Sequence, residues 1–443
     1  MDRLATTAVR PSAFLREIPC EDGVLLYNTL TSGIIHTPDG LRPTAQLTAA
    51  QSWLLQEHGF LVSAQSGESE ELKQALSFYD QHSSLLYVIL TIATNCDLSC
   101  DYCFENRTAR EPMSRETLEN TLSWIDKELA SGRYTSFYMI LFGGEPMLKP
   151  DTVETALIET RKICERHGVT FLPSILTTNA LLGDDAQYER LRDLGVGYVQ
   201  ITFDGDRSVT NARRKSRSGR DMDVYGQTLS RLPFMSQTFN LAIKLNFAPE
   251  TVHSVSRFFD DLMDLEGLDL SSVTIKPETI AITKPSTGVF GDGIFTPDTI
   301  VLAEAFAQIF QEAGKRGLAT DGSAVFNTPC MAFTRSSALI EPDGSMRSCI
   351  SAFGMDEFKT GDVFGASQEH ALSTTEERIE ELADCIEKKC AFLPMCAGGC
   401  PYEKVLTSGN AKGILCRLNY FENILPVYVH QKWRKAKHKL YLT

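Results

Sequence analysis

From residue 86 onward the chain alternates, six times over, between a short apolar run rich in β-formers and a longer stretch with helical periodicity. The runs fall at 86 to 93, 137 to 142, 170 to 177, 197 to 203, 241 to 247 and 272 to 276. The helical stretches fall at 114 to 130, 151 to 166, 184 to 194, 223 to 235, 252 to 265 and 298 to 316. Helix-length connections let successive strands lie parallel, so an α/β architecture is expected, as an open sheet or a partial barrel. In either form ligands belong at the carboxyl ends of the strands.

Both flanks differ from this pattern. Residues 1 to 84 mix strand-like pieces, Val24 to Tyr27 and Gly33 to Ile35, with helical stretches around 45 to 57 and 69 to 80, which predicts a small α+β module. After the last helical stretch the alternation stops and turn signals take over at Pro342-Asp343-Gly344, Gly398-Gly399 and Ser408-Gly409. A chain of 443 residues exceeds what one core usually holds, and three parts are expected: 1 to 84, 85 to 318 and a loop-rich 319 to 443. No apolar run approaches the roughly 18 residues of a membrane span, and Met1 to Phe14 lacks the apolar core of a secretory signal. A cytoplasmic protein with no membrane partner is expected. The net charge of -14 argues against a nucleic-acid partner, which would call for an excess of Lys and Arg. Two dense basic runs exist, Arg213 to Arg220 and Lys432 to Lys439; the second reads as a solvated helix face.

Twelve cysteines in a long chain without a secretory signal favour metal binding over disulfides. Cys20 and Cys164 stand apart and read as buried small hydrophobes. Cys96, Cys100 and Cys103 follow directly on the first strand, which puts three thiolates on one loop at its carboxyl end. A structural zinc ion wants four ligands, and no fourth His or Cys lies nearby. An iron-sulfur cube held by three thiolates keeps one iron free for a ligand.

The spacing Cys96-x3-Cys100-x2-Cys103, with Tyr102 as the aromatic before the last cysteine, resembles the hallmark of the radical S-adenosylmethionine (radical SAM) superfamily. The resemblance continues along the sheet. Gly143-Gly144-Glu145-Pro146 ends the second strand, Thr177-Thr178-Asn179 the third and Thr202-Phe203-Asp204-Gly205 the fourth, with Arg214 nine residues further on. It implies a partial (β/α)6, TIM-like barrel in which Cys96, Cys100 and Cys103 hold a catalytic 4Fe-4S cluster. It implies further that Tyr102, Gly143, Gly144, Glu145, Asn179, Asp204 and Arg214 surround S-adenosylmethionine. In that family one electron cleaves the sulfonium to methionine and a 5'-deoxyadenosyl radical, with a flavodoxin or ferredoxin as the usual kind of donor. Read without the resemblance, Gly143 to Pro146 and Asp204 are turn formers, and Arg213 to Arg217 is a solvated basic loop.

The C-terminal pattern of Cys330, Gly344-x4-Cys349, Cys385, Cys390-x5-Cys396-x3-Cys400 and Cys416 resembles the SPASM extension, which carries up to two auxiliary 4Fe-4S clusters. The resemblance implies one cluster on Cys385, Cys390, Cys396 and Cys416, a second on Cys330, Cys349 and Cys400, and three clusters in all. Two points depart from the pattern: Cys385-x4-Cys390 replaces the usual Cys-x2-Cys, and the second cluster lacks a fourth cysteine. The reading without the resemblance is a zinc-ribbon domain.

SPASM relatives mostly act on peptides or proteins. The resemblance therefore implies a ribosomally made precursor peptide as partner and a thioether or carbon-carbon crosslink as product. Residues 1 to 84, and the candidate strand Asp22 to Thr29 in particular, read either as a leader-recognition module adding a peptide strand or as a cap on the core. A rival within the family is formylglycine formation in sulfatases, which usually places an aspartate after the cysteine of the Gly-x4-Cys element; here that residue is Ile350. A rival of another class is a non-enzymatic iron-sulfur electron carrier.

Overall fold

A computed structural model describes residues 8–37, 43, 46–81, 83–107, 112–280, 299–322, 330–365 and 372–440. Residues 1–7, part of the stretch read for a targeting signal, lie outside the described residues, as do 45 and 298 at the starts of two expected helical stretches.

The N-terminal part contains an antiparallel sheet in the order β1 (Leu15–Cys20), β2 (Gly23–Asn28) and β3 (Ile34–Thr37). Glu21 and Asp22 form a two-residue turn between β1 and β2, with Cys20 opposite Gly23. Alternation along the strands sorts the side chains by face. Ile18, Leu25 and Tyr27 enter the main core, while Leu26 joins Leu55, Phe60 and Leu61 in a separate small cluster under helix Ala49–Glu57.

Six strands, β4 (Leu85–Ala93), β5 (Ser136–Gly143), β6 (Ser174–Thr177), β7 (Val196–Phe203), β8 (Asn240–Phe247) and β9 (Val273–Thr279), lie side by side in sequence order and are all parallel. The order never reverses. With crossovers of one hand, the connecting helices then collect on one face, the winding of a barrel and not of a doubly wound sheet. The sheet stays open. The expected run at 170 to 177 is broken at Pro173, which lacks an N–H for the ladder; only Ser174–Thr177 continues the main sheet between its neighbours, and Thr170–Phe171 pairs with β5 alone.

Among the described residues the C-terminal part builds no sheet of its own. Its strand β10 (Ser337–Ile340) joins β4 in parallel, and β11 (Ser345–Arg347) and β12 (Lys359–Asp362) extend that edge antiparallel. The long helix Leu418–Leu440 packs on helix Thr299–Lys315 and on the N-terminal sheet, where Tyr428 meets Tyr27 with ring centroids 6.4 Å apart. In the second basic run, half-buried Lys432 donates to Ser32 O at 2.8 Å and lies over the Tyr27 ring, so that part is a packed seam and not a solvated face. Among the described residues no helix is long and apolar enough to cross a membrane.

Candidate active site

The cysteine loop is held in place by backbone. Leu98–Cys100 pairs antiparallel with Arg214–Ser216, Cys100 opposite Arg214, and Arg217 adds its backbone N–H to Asp97 O at 2.8 Å and its Nε–H to Cys96 O at 2.7 Å. The basic stretch from Arg213 to Arg217 is thus a second strand of the cysteine loop and not a solvated loop. Arg214 is the member that turns inward: it is buried, while Arg213 is half-buried and Lys215 exposed.

On the other side the loop rests on the end of β5. A Cβ on Gly143 would stand 2.1 Å from Ala93 O, and one on Gly144 would stand 2.4 Å from Asn95 O; Gly143 also has φ +132°. The two glycines therefore let the second strand meet the cysteine loop backbone to backbone. Glu145 is fully buried, and its oxygens accept from Met147 N at 2.9 Å, Thr178 Oγ1 at 2.8 Å and Asn179 N at 2.7 Å. Burial pushes its carboxyl up to about 7 against those three bonds. Asn179 passes the link onward, its Nδ2 donating to Asp97 Oδ1 at 2.7 Å and lying 3.8 Å from Cys96 Sγ. The next residue, Ala180, is a buried non-glycine at φ +61°, a strained conformation held by Thr178 Oγ1, which accepts from its N–H at 3.1 Å.

Tyr102 ties the fourth strand to this group. Its hydroxyl donates to Asp204 Oδ2 at 3.0 Å and accepts from Arg214 Nη1 at 3.2 Å. Burial raises the Asp204 carboxyl to about 6 despite the lowering effect of Arg214. Burial also pushes the Cys96 and Cys100 thiols up, with Arg214 opposing the shift at Cys100. These thiols ionise readily only with a cation to offset the burial.

Cys96, Cys100, Cys103, Tyr102, Gly143, Gly144, Asn179 and Arg214 all line one cavity of about 200 Å³ at the carboxyl ends of the strands. Glu145 and Asp204 are buried beside it and are not among its lining residues. The cavity also holds residues that motif reading missed: Glu105, Gln200, Lys244, Asn246, Glu278 and, from the C-terminal part, Ser351 and Tyr402. A signal existed for several. In β8 the apolar Leu241, Ile243 and Leu245 alternate with Ala242, Lys244 and Asn246, so a Lys and an Asn share the face opposite the core. Lys244 pairs with Glu278 at 2.9 Å. Glu105 is buried with Oε2 unpartnered, and burial, then Glu145, push it up to about 8.

The C-terminal cysteines form two neighbourhoods. Burial raises Cys349, and Cys330 and Cys400 add to the shift; Cys385 is raised by burial and then by Cys390, Cys396 and Cys416. The long Cys385-x4-Cys390 spacing is absorbed by the helical turn Ala383–Glu387, by Lys389 at φ +50° and by a bond from Cys390 N to Cys385 O of 3.0 Å. Two buried cations lie beside these thiols. Burial lowers Arg378, whose guanidinium stacks 3.9 Å over Phe333 and pairs with Glu381; burial and Arg378 bring Lys404 down to about 8. Arg378, directly after Glu376 and Glu377, belongs to none of the motifs or basic runs read from the sequence.

None of the twelve cysteines is in a disulfide. Among the described residues, Cys20, Asp22 and His36 are the one set of three candidate ligands whose donor atoms all lie within 4.8 Å of one another.

Residues 90–225 match the Radical SAM superfamily model, a stretch that runs from β4 through the cysteine loop and past Arg214. The chain carries a radical SAM domain. Members of that superfamily are enzymes. The AdoMet-dependent heme synthase of Methanosarcina barkeri (strain Fusaro / DSM 804) is 24% identical over 171 residues, 38% of this chain and 44% of its own. The GTP 3',8-cyclase of Synechococcus sp. (strain CC9902) is 30% identical over 149 residues, 33% of this chain and 41% of its own. The chain thus spans less than half the length of these curated relatives. Among solved structures, native anSMEcpe with bound AdoMet and Kp18Cys peptide has a TM-score of 0.59 at 17% identity, covering 79% of this chain and 98% of that one. SuiB of Streptococcus suis bound to S-adenosylmethionine has a TM-score of 0.53 at 15% identity, covering 92% and 99%. At such identities the likeness is one of fold around the radical SAM domain.

Proposed function

We propose that the chain is a radical SAM peptide maturase that crosslinks a ribosomally made precursor, with a SPASM-like C-terminal part carrying two auxiliary clusters. The observation that carries this reading is the shared cavity: the three loop thiols face Ser351 and Tyr402, each two residues from a cysteine of the Cys330, Cys349 and Cys400 group. A substrate held there lies between the radical loop and the cysteine group with three thiols. An open iron in that second group would accept a substrate thiolate, which favours a thioether as product.

When bound, a cluster on Cys96, Cys100 and Cys103 with S-adenosylmethionine supplies the electron and the 5'-deoxyadenosyl radical that removes a hydrogen atom from the peptide. The protein's share is position and shielding. Cys100 and Arg214, in register across the small ladder, fix the loop against a buried cation that offsets thiolate charge. Gly144, Thr178 and Asn179 leave room for a polar ligand beside the thiols, and Glu145 holds the last two in place from behind. Phe104 and Phe142 close the apolar side of the cavity, while Lys244 and Glu278 offer a cation and an anion to polar groups of the substrate. An electron donor of the flavodoxin or ferredoxin kind is part of the proposal.

The formylglycine reading is weaker, because Ile350 packs with Ile89, Leu339 and Phe353 where an acidic side chain would be needed. Support for a peptide substrate comes from a fold neighbour, anSMEcpe, that was solved with a peptide bound. The test is anaerobic reconstitution followed by reduction with S-adenosylmethionine present. The proposal expects 5'-deoxyadenosine, and with a cysteine-containing precursor a product lighter by two hydrogens. Absence of 5'-deoxyadenosine would leave the electron-carrier reading standing. An aldehyde in the product would turn the assignment to formylglycine formation.

A further inference from the structure

Cys20 is not the buried small hydrophobe expected from sequence; only Cys164 is. Cys20 ends β1, half exposed, and the two-residue turn that follows brings Asp22 Oδ1 to 3.6 Å from its Sγ. The register of β2 with β3 sets His36 opposite Leu25, and that of β1 with β2 sets Leu25 opposite Ile18. Cys20, two residues from Ile18, therefore shares a face with His36. The imidazole Nε2 is buried and lies 3.1 Å from Asp22 Oδ1, yet the approach is misaligned for a hydrogen bond. Trp433 of the C-terminal helix packs on the ring with centroids 5.5 Å apart and fixes its orientation.

From this geometry we infer that Cys20, Asp22 and His36 bind one zinc ion, separate from the cysteine groups of the proposed active site. Donor atoms on a tetrahedral zinc, at about 2.3 Å for sulfur and 2.0 to 2.2 Å for nitrogen and oxygen, stand about 3.3 to 3.8 Å apart. The two measured separations, 3.6 Å and 3.1 Å, are close to that range, and all three donor atoms lie within 4.8 Å. A thiolate, an imidazole and a carboxylate together suit a borderline metal such as zinc better than calcium or magnesium, which take oxygen. The order of contacts also argues against a nucleophilic cysteine. Asp22, not His36, sits next to the thiol, and a carboxylate in that place suppresses the thiolate, whereas a cation would stabilise it. Binding releases the thiol proton to solvent. Cys20 and Asp22 line an open cavity of about 750 Å³ with His430, Gln431 and Arg434, which leaves the fourth position to water. The three ligands come from one turn and two strands, a rigid support that needs no rearrangement to close on the ion.

The test uses the full chain with its iron-sulfur clusters reconstituted, given zinc chloride, desalted and analysed for zinc and iron. The wild type should retain about one zinc per chain, and Cys20→Ser and His36→Gln should each lose it with iron unchanged. X-ray absorption at the zinc edge should show one sulfur with nitrogen and oxygen neighbours. Thermal melts without zinc should coincide for wild type and variants, which establishes that the variants fold. No retained zinc in the wild type, equal zinc in both variants, or a sulfur-only environment that places zinc in the cluster cysteines would each overturn the site. Cys100→Ala should bind zinc as the wild type does, so failure of the radical SAM proposal and failure of this one remain distinguishable.

Discussion

At the scale of single residues, Glu145 is held by three protein donors. Its carboxylate is spent on Met147 N, Thr178 Oγ1 and Asn179 N, none of them a ligand. Glu145→Ala leaves buried donors unpaired, at about 1 to 3 kcal/mol for each. It should therefore lower the melting temperature as well as the affinity for S-adenosylmethionine, and Glu145→Gln should recover part of both. Weakened affinity with an unchanged melt would instead mean direct contact. Cys100→Ala should abolish 5'-deoxyadenosine formation and remove about four irons per chain while leaving the C-terminal clusters, as read by iron analysis and electron paramagnetic resonance. Lys404 is a buried cation beside the C-terminal thiols. Replacing it with Met removes positive charge near the proposed C-terminal clusters and should shift a C-terminal reduction potential to more negative values in a redox titration; an unmoved potential would show that its role is packing alone.

At the scale of elements, the contact that decides the site is strand against loop. The end of β5 and the cysteine loop touch through backbone at Gly143 and Gly144, where no side chain can be accommodated. Gly144→Ala should push the loop away, because the atom it meets is a carbonyl oxygen and not the movable tip of a side chain. The expected result is loss of the loop cluster's resonance signal with the C-terminal signals kept. The parallel strands, the glycine-ended second strand and the cysteine loop were all legible, because period and spacing are local properties. The partnering of Arg214–Ser216 with Leu98–Cys100 was not: a three-residue ladder between segments more than a hundred residues apart leaves no periodic trace.

At the scale of the whole molecule, the N-terminal part is packed against the C-terminal cysteines. Phe14 and Leu72 bury with Leu382, Ile386 and Leu393, and Cys385 and Cys390 pack on that cluster. Thr29 Oγ1 donates to Ala391 O, and Arg16 lies 4.8 Å over the Phe392 ring. Each buried large apolar side chain is worth about 1.5 to 3 kcal/mol. Deleting residues 1 to 80 should therefore cost more than peptide recognition. It should lower iron per chain through the cluster assigned to Cys385, Cys390, Cys396 and Cys416, and lower the melting temperature, while the loop on Cys96 keeps its signal. Full iron in the truncated chain would show that this seam does not support the C-terminal cysteines.

The sequence alone determined the class of sheet and the loop that carries three thiols, since each rests on residue type and spacing within a few turns of chain; the unreversed order of the strands came from the structure. The tertiary structure decided the rest. It turned Arg214 inward and kept Lys215 out, buried Glu145 and Asp204 beside the cavity, folded the long Cys385-x4-Cys390 spacing into one helical turn, and brought His36 to Cys20 across two strands. The physical reason is common to the arginine, the two carboxylates and the histidine: which side a polar side chain faces depends on what packs against it, and its partners come from segments that no local pattern connects.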